Sequence, residues 1–421
     1  MKRHKIFYGW WIVIALFVVG MLGPMARFSM TAFFPTISAE MFWTRSEIGL
    51  AQSISLWIYS LFAILAGIMI DRIGSRKTVF LGGLFCLAGW LLLSTVNQLW
   101  QLFIYYGLVM AVAVSMTHLV PLQATQRKWF VKKSGLVGGI LVSAVAVGTS
   151  IFTPIQTLLA DSMGWRATSI ASGIAFSLPI LLLAFFVIRN KPEAMGLHPD
   201  GMMPGMTGQN SRAVTSREWP LKDAIRTPQL WILFIVYSLF GLVVNALMGY
   251  LVIWSVDVGS NVAASGIFIT LFNAPSILAR VGGGWLGDRF PKKKVMAASA
   301  VLSLLVMLWG WTGIVSVNQL LIFTVVIGMT SALALGLFVP YLGDLFGKEN
   351  VGALFGILTM GWGLVGGFGP MLWGILVDAT GSYNLACLLS VACYAVAFIA
   401  LLCIRPLKQR QTQVYTGYNN G

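Results

Sequence analysis

Charge is the scarcest property of this chain. Asp and Glu together number 13 in 421 residues, and all charged types make up only 10%, against roughly 25% in soluble domains. That deficit excludes a soluble globular protein. Cysteine and histidine are equally sparse, four and three residues. Cys86, Cys387, Cys393 and Cys403 fall in apolar segments with no paired spacing and no neighbouring histidine, which argues against a disulfide framework or a zinc site and leaves them as packing residues. The sequence has no nucleotide-binding loop, metal-ligand cluster or nucleophile arrangement. ATP-driven transport and enzymatic chemistry therefore have no support, and neither cofactor nor metal is expected.

What the chain has in abundance is apolar length. It is 58% hydrophobic with a mean hydropathy of +0.84, and runs of about 20 apolar residues, each enough to cross a core of about 30 Å, recur throughout. Twelve are expected, at residues 8–36, 47–70, 78–97, 101–124, 135–159, 167–188, 229–254, 262–287, 295–315, 319–341, 351–376 and 384–404. Their length, without the alternation of barrel strands, predicts helices. The basic start MKRHK precedes a run too long for a secretion signal and lacking a small-residue cleavage site, so it reads as the first helix.

The formal charge of +15 raises the question of a polyanionic partner, and the placement of the basic residues answers it. All but four of the 28 Lys and Arg fall on one side if the N-terminus is inside. Arg45 and Arg166 lie on outer loops, and Arg27 and Arg280 lie within the apolar runs. This is the positive-inside pattern of a multi-pass protein of the plasma membrane, or of the inner membrane in a bacterium, with both termini cytoplasmic and no nucleic-acid partner. Trp10, Trp11 and Trp100 read as interfacial anchors.

One long polar stretch, 189–228, is expected to be a cytoplasmic linker between six helices in 1–188 and six in 229–404, with 405–421 a cytoplasmic tail. At an offset of 217 the halves align Gly67 with Gly284, Asp71 with Asp288, Arg72 with Arg289, Lys77 with Lys294, Gly139 with Gly356 and Asp161 with Asp378. Two related six-helix bundles are a secondary-transporter architecture whose substrate sits near mid-membrane between them.

AGIMIDRIGSRK (66–77) and its second copy GGWLGDRFPKKK (283–294) resemble the loop motif of the major facilitator superfamily, and the resemblance spans about residues 8 to 405. It implies an all-α membrane protein of twelve transmembrane helices in two pseudo-symmetric six-helix bundles. RKWFVKKSGLVGGILVSAVAVG (127–148), GWR (164–166) and PEAMGLHPDG (192–201) are similar to bacterial relatives of monocarboxylate transporters and oxalate:formate antiporters. RFSMTAFFP (27–35) is similar to the first helix of anion:cation symporters for sugar acids. All of these relatives move small organic anions.

Arg280 is the sharpest anomaly, because no acidic residue lies within seven positions of it. If Asp288 marks the membrane boundary, eight residues at 1.5 Å bury Arg280 about 12 Å deep, near the midplane. A charge there costs at least about 2.5 to 3.5 kcal/mol, so it needs a cavity or a partner. Its planar donor fork matches a carboxylate. The alternative is an arginine snorkelling to headgroups or bonding backbone carbonyls of a glycine-rich neighbour. The resemblance implies the substrate role, with two departures. Ser276 stands where monocarboxylate carriers commonly have an aspartate, and Trp362 where oxalate carriers have a lysine.

Arg27 is the second candidate for the substrate, beside a break predicted at Gly20, Gly23 and Pro24; an arginine reaching outer headgroups is the competing reading. The aspartate and glutamate of the anion:cation symporters are replaced here by Ala26 and Met116. His118, near the midplane of the first half, is a candidate proton carrier where no buried carboxylate serves, or else a hydrogen-bonded residue of the bundle. Asp257 is an outer protonation site or a loop carboxylate. Thr117, Asn245, Tyr250, Ser331, Thr359 and Trp362 could line a cavity or serve as helix-packing polar groups. Asp71 and Asp288, each followed by arginine (Arg72, Arg289), are expected to gate by bonding a neighbouring helix N-terminus and basic loop residues in one closed arrangement. Together these readings predict a functionally monomeric carrier that moves a small carboxylate, of the lactate or pyruvate type, with a proton. Anion exchange, sugar-acid symport and a carboxylate sensor remain as alternatives.

Overall fold

The computed structural model describes residues 7–131, 133–201, 219–347 and 350–405. The expectations for Lys348, for residues 202–218 of the linker and for the tail beyond Arg405 lie outside the described residues. Twelve helices long and apolar enough to span a membrane follow one another: α1 Tyr8–Met41, α2 Arg45–Arg72, α3 Ser75–Ser94, α4 Leu99–Trp129, α5 Leu136–Met163, α6 Trp165–Val187, α7 Pro228–Asp257, α8 Val262–Arg289, α9 Lys292–Trp311, α10 Val317–Phe346, α11 Val351–Thr380 and α12 Asn384–Cys403. Most extend past the apolar run that announces them, because polar end residues can continue a helix once it leaves hydrocarbon. At the start of α2, Thr44 Oγ1 accepts from the Glu47 amide and the Glu47 carboxylate accepts from the Thr44 amide at 2.8 Å, a reciprocal cap.

Helices α1 to α6 pack chiefly among themselves, as do α7 to α12. The halves meet along three seams, α2 on α11, α5 on α8 and α1 on α7. Two of these seams are copies of one another. Gly49 on α2 and Gly266 on α8 stand at the repeat's own offset, and each lets a helix of the other half approach closely. A Cβ on Gly49 would lie 2.5 Å from the Pro370 carbonyl oxygen, and one on Gly266 would lie 2.6 Å from Pro154 Cα.

Several helices are interrupted at depth. The α1 ladder breaks at Gly23–Pro24 between segments Tyr8–Leu22 and Met25–Met41, where proline supplies no N–H. In α4 a π-turn over Tyr105–Met110 is followed by an extended residue, His118, with φ −104° and ψ −156°. The corresponding place in α10 is the break at Gly336–Leu337. Non-helical backbone at membrane depth is tolerated where it is buried in protein or lines a cavity, so these breaks mark the polar interior between the helices.

The loops divide between two ends. One, the basic end, carries Asp71, Asp288, the described linker residues 189–201 and 219–227, Phe7 and Arg405; the far end carries the turns after α1, α3, α5, α7, α9 and α11. On α7 every residue from Phe240 to Ser255, in the far half, is buried, whereas burial alternates from Gln229 to Leu239. The halves are thus drawn together toward the far end.

Candidate functional site

Arg280 is half-buried on α8, at the level where α10 breaks. Gly336 lies so close that a Cβ there would meet the Arg280 carbonyl oxygen at 3.0 Å. The guanidinium has no hydrogen bond or ion pair among the described residues, and its Nε is buried without a partner. Its electrostatic neighbour is the Tyr237 phenol of α7. Tyr237 is held in an aromatic wall, with ring centroids 4.7 Å from Phe338, 5.0 Å from Trp362 and 5.6 Å from Phe355. A cation with free donors beside aromatic faces is arranged to take an anion with some apolar body.

The first half supplies a second cation. Arg27 Nη2 donates to Asn245 Oδ1 of α7 at 3.0 Å, its carbonyl accepts from Tyr106 Oη at 2.8 Å, and its guanidinium lies 4.9 Å from the Phe28 ring centroid. The His118 ring, half-buried at the α4 break, shares a 2.6 Å hydrogen bond between Nδ1 and Tyr59 Oη. Arg27 interacts electrostatically with both His118 and Tyr59, and Tyr59 with Tyr237 across the halves. Each bundle thus contributes one guanidinium with a phenol in electrostatic range, Tyr59 for Arg27 and Tyr237 for Arg280. Every described Asp and Glu in the twelve helices lies within two residues of a helix end, so no carboxylate neutralises either arginine at depth.

A family model described as Major Facilitator Superfamily matches residues 16–266 and again 233–417. The chain belongs to the major facilitator superfamily. As such it is a membrane transporter and not an enzyme. Among related sequences it is 25% identical to a probable sulfoacetate transporter, SauU, of Cupriavidus necator, over 89% of this chain and 88% of the relative. It is 21% identical to human monocarboxylate transporter 7, over 95% and 87%, and 26% identical to the oxalate:formate antiporter of Oxalobacter formigenes, over 55% and 52%. The fold matches the crystal structure of a point mutant of the nucleoside transporter NupG with TM-score 0.72 and 14% identity, over 94% and 99% of the two chains.

The remaining candidates divide between this major facilitator interior and other places. Asn245 and Trp362 are brought to the site, and Asn245 Nδ2 also reaches the Trp362 and Gly366 carbonyls at 3.5 Å. Thr117 instead bonds back to the Ala113 carbonyl at 2.9 Å and packs against Gly23, helping to shape the α1 break. Thr359 likewise bonds its own helix, at the Phe355 carbonyl. Ser331 pairs with Tyr394 Oη at 2.8 Å inside the second bundle.

Tyr250 and Asp257 belong to the far end, in a clamp that sequence reasoning missed. Arg45, opening α2, donates through Nη2 to Asp257 Oδ1 at 2.6 Å, and its carbonyl accepts from Tyr250 Oη at 2.7 Å. The Arg45 and Ser46 amides donate to the two Asp378 oxygens at 3.1 and 2.7 Å. Tyr383 Oη completes the clamp with a 2.6 Å bond to Asp257 Oδ2. Burial, reinforced by the Asp257 carboxylate, holds that phenol protonated well above its usual range. At the basic end the loop acids are disengaged. Asp71 and Asp288 are exposed, with no hydrogen bond or ion pair among the described residues; Arg72 is exposed as well, and Arg289 stacks 4.0 Å from the Trp285 ring centroid. Gln52, Tyr59 and Tyr237 are the other interior residues that the sequence reading passed over.

Proposed function

We propose that this transporter carries a small organic anion by alternating access, with Arg280 holding its carboxylate. The observation that carries the reading is a guanidinium at membrane depth with no counterion. Desolvating such a charge is costly, and a carboxylate supplied by the substrate offsets the cost only while cargo is bound. That is the differential interaction a carrier needs. The relatives support the same class, since those reported above are named for monocarboxylate, sulfoacetate and oxalate or formate. Tyr237 and Trp362 form the wall against the organic body, Arg27 and Asn245 the opposite side, and the basic end faces the cytoplasm of the cell membrane.

Coupling to protons runs through His118. The hydrogen bond to Tyr59 fixes the ring, and no described carboxylate lies at that depth to take the role. In reconstituted liposomes, an inward proton gradient accelerates uptake of lactate or pyruvate, used as probes of the class. Indifference to the gradient, with strict dependence on internal anion, would identify an exchanger. Arg280→Gln abolishes saturable uptake of these anions in a protein that remains monodisperse; uptake retained at unchanged apparent affinity would remove Arg280 from the site.

A further inference from the structure

A buried glutamine with nothing to bond stands beside a guanidinium with donors to spare. Gln52 of α2 is only 5% exposed, and neither its Oε1 nor its Nε2 has a hydrogen-bond partner. An amide left unpaired in the interior is costly, so the group calls for an occupant. It lines a cavity of about 10 Å³ together with Arg27, Thr31, Tyr106, Asn245 and Gly249, a space for one occupant about the size of a water molecule. The Thr31 and Tyr106 hydroxyls donate elsewhere, to the Met248 and Arg27 carbonyls. Of the five N–H groups of a guanidinium, Arg27 commits only one, to Asn245. The donors left for the cavity are therefore Gln52 Nε2 and the rest of the guanidinium.

We infer that Arg27 and Gln52 form a site for a monatomic anion of the chloride class, which compensates Arg27 and helps to hold the far end shut. No described carboxylate lies at this depth, and a guanidinium in the membrane interior without a counterion is costly. A water molecule would satisfy the free N–H groups but leave the charge, whereas a halide does both. The size of the cavity excludes an organic acid in this arrangement, so the compensating charge has to come in a compact form. Its walls belong to both bundles: Arg27 and Gln52 come from the first, and Gly249 and Pro370 from the second. Gly249 is packed so close that a Cβ there would collide with Gln52 Oε1, which leaves Nε2 to face the ion. An anion held by the first bundle and enclosed by the second loses that enclosure when the bundles part, so its binding favours the closed far end. The site is separate from that of the cargo. Gln52 stands at the level of Gly249 and Arg280 at that of Tyr237, twelve residues and about 18 Å apart along α7.

The test uses the purified full chain, free of organic acids, in sodium chloride against sodium sulfate at equal ionic strength. Sulfate is too large for the cavity and generally stabilises folded proteins, so the comparison is conservative. Chloride raises the unfolding temperature of the wild type by at least about 2 °C over sulfate, and the protein broadens the chloride NMR line. Gln52→Leu removes one donor and weakens chloride binding by at least about tenfold, as loss of a hydrogen bond to a charged group requires. Gln52→Glu sets a carboxylate beside Arg27 in the ion's stead, so its unfolding temperature is the same in both salts and the line stays narrow. Equal unfolding temperatures and no broadening in the wild type mean that the cavity takes water alone, and overturn the site; chloride binding undiminished in both variants does so as well. Arg280→Gln keeps the chloride affinity within about twofold, as a distant residue should, whatever becomes of carboxylate uptake, so this site and the cargo assignment fail separately. Loss of chloride binding in that variant would place the ion on Arg280 and overturn the site at Arg27.

Discussion

The bond between Tyr59 and His118 gives the proton route a test finer than removing the histidine. At 2.6 Å the phenol fixes one ring nitrogen and so decides where a proton can be held or released. Tyr59→Phe keeps the tilted ring contact, whose centroids lie 5.4 Å apart, but deletes the bond. The expected result is loss of most of the acceleration by an inward proton gradient, while exchange of internal for external anion without a gradient stays within about threefold. His118→Asn goes further and removes the acceleration entirely. Undiminished stimulation in both variants excludes His118 as the carrier. Residues of this kind differ in how plainly a sequence announces them. Arg280 and Arg27 are legible because a charge in an apolar run has no neutral reason to be there. Tyr59, Tyr237 and Gln52 are not, because tyrosine and glutamine are common helix-packing residues, and only the fold shows which of them face one another and which lack a partner.

Among the elements, the duplicated glycine seams govern how tightly the bundles close. Gly49 lies within its helix, where alanine is intrinsically favoured by about 1 kcal/mol, and Gly266 is a turn residue with φ −62° and ψ −21°, which alanine also adopts, so a substitution at either is not expected to unfold its own helix. What it disturbs is the other half: the added Cβ would stand 2.5 Å from the Pro370 carbonyl oxygen or 2.6 Å from Pro154 Cα. Gly49→Ala and Gly266→Ala should therefore wedge the seams and shift the population toward a far end that is parted, with the double variant shifting it most. Spin labels at Asn97 and Val315, exposed turn residues of the two halves at the far end, report the change as a longer distance distribution. An unchanged distribution in the double variant shows that the seams do not limit closure. The existence and order of the helices were readable, because bilayer thickness sets their length and composition marks them, while their ends run past the apolar runs by several residues. The seams were not, since a glycine spacing reports a repeat but not which foreign helix each copy touches.

On the scale of the whole molecule, the two ends are in opposite conditions. The repeat and the placement of charge are enough to read two bundles and a basic side. Which end is closed depends on long-range pairings such as Arg45 with Asp257, 212 positions apart, that leave no local trace. In this arrangement the far-end clamp is made and the duplicated loop acids at the basic end are free, as expected of a carrier in which each set of contacts belongs to one state. Alternation then requires the two sets to be nearly balanced. The Arg45–Asp257 pair is about a third exposed on both sides and contributes only about 0.2–1 kcal/mol. The two amide bonds from the α2 N-terminus to Asp378 combine charge-assisted hydrogen bonds with the helix dipole and contribute up to about 2 kcal/mol. Asp378→Ala should thus shift the equilibrium toward an open far end by up to about thirtyfold, and Asp257→Asn by less than about fivefold. The same pair of spin labels ranks the two variants. The opposite order would mean that the ion pair, rather than the capped helix, is the principal lock. Asp71→Asn combined with Asp288→Asn should raise the population of this arrangement, because the acids it removes make no contact here and stabilise only the alternative state, and should slow transport for the same reason. If the double variant instead lowers the population with a closed far end, the loop acids act in this state and their assignment to the opposite one is wrong.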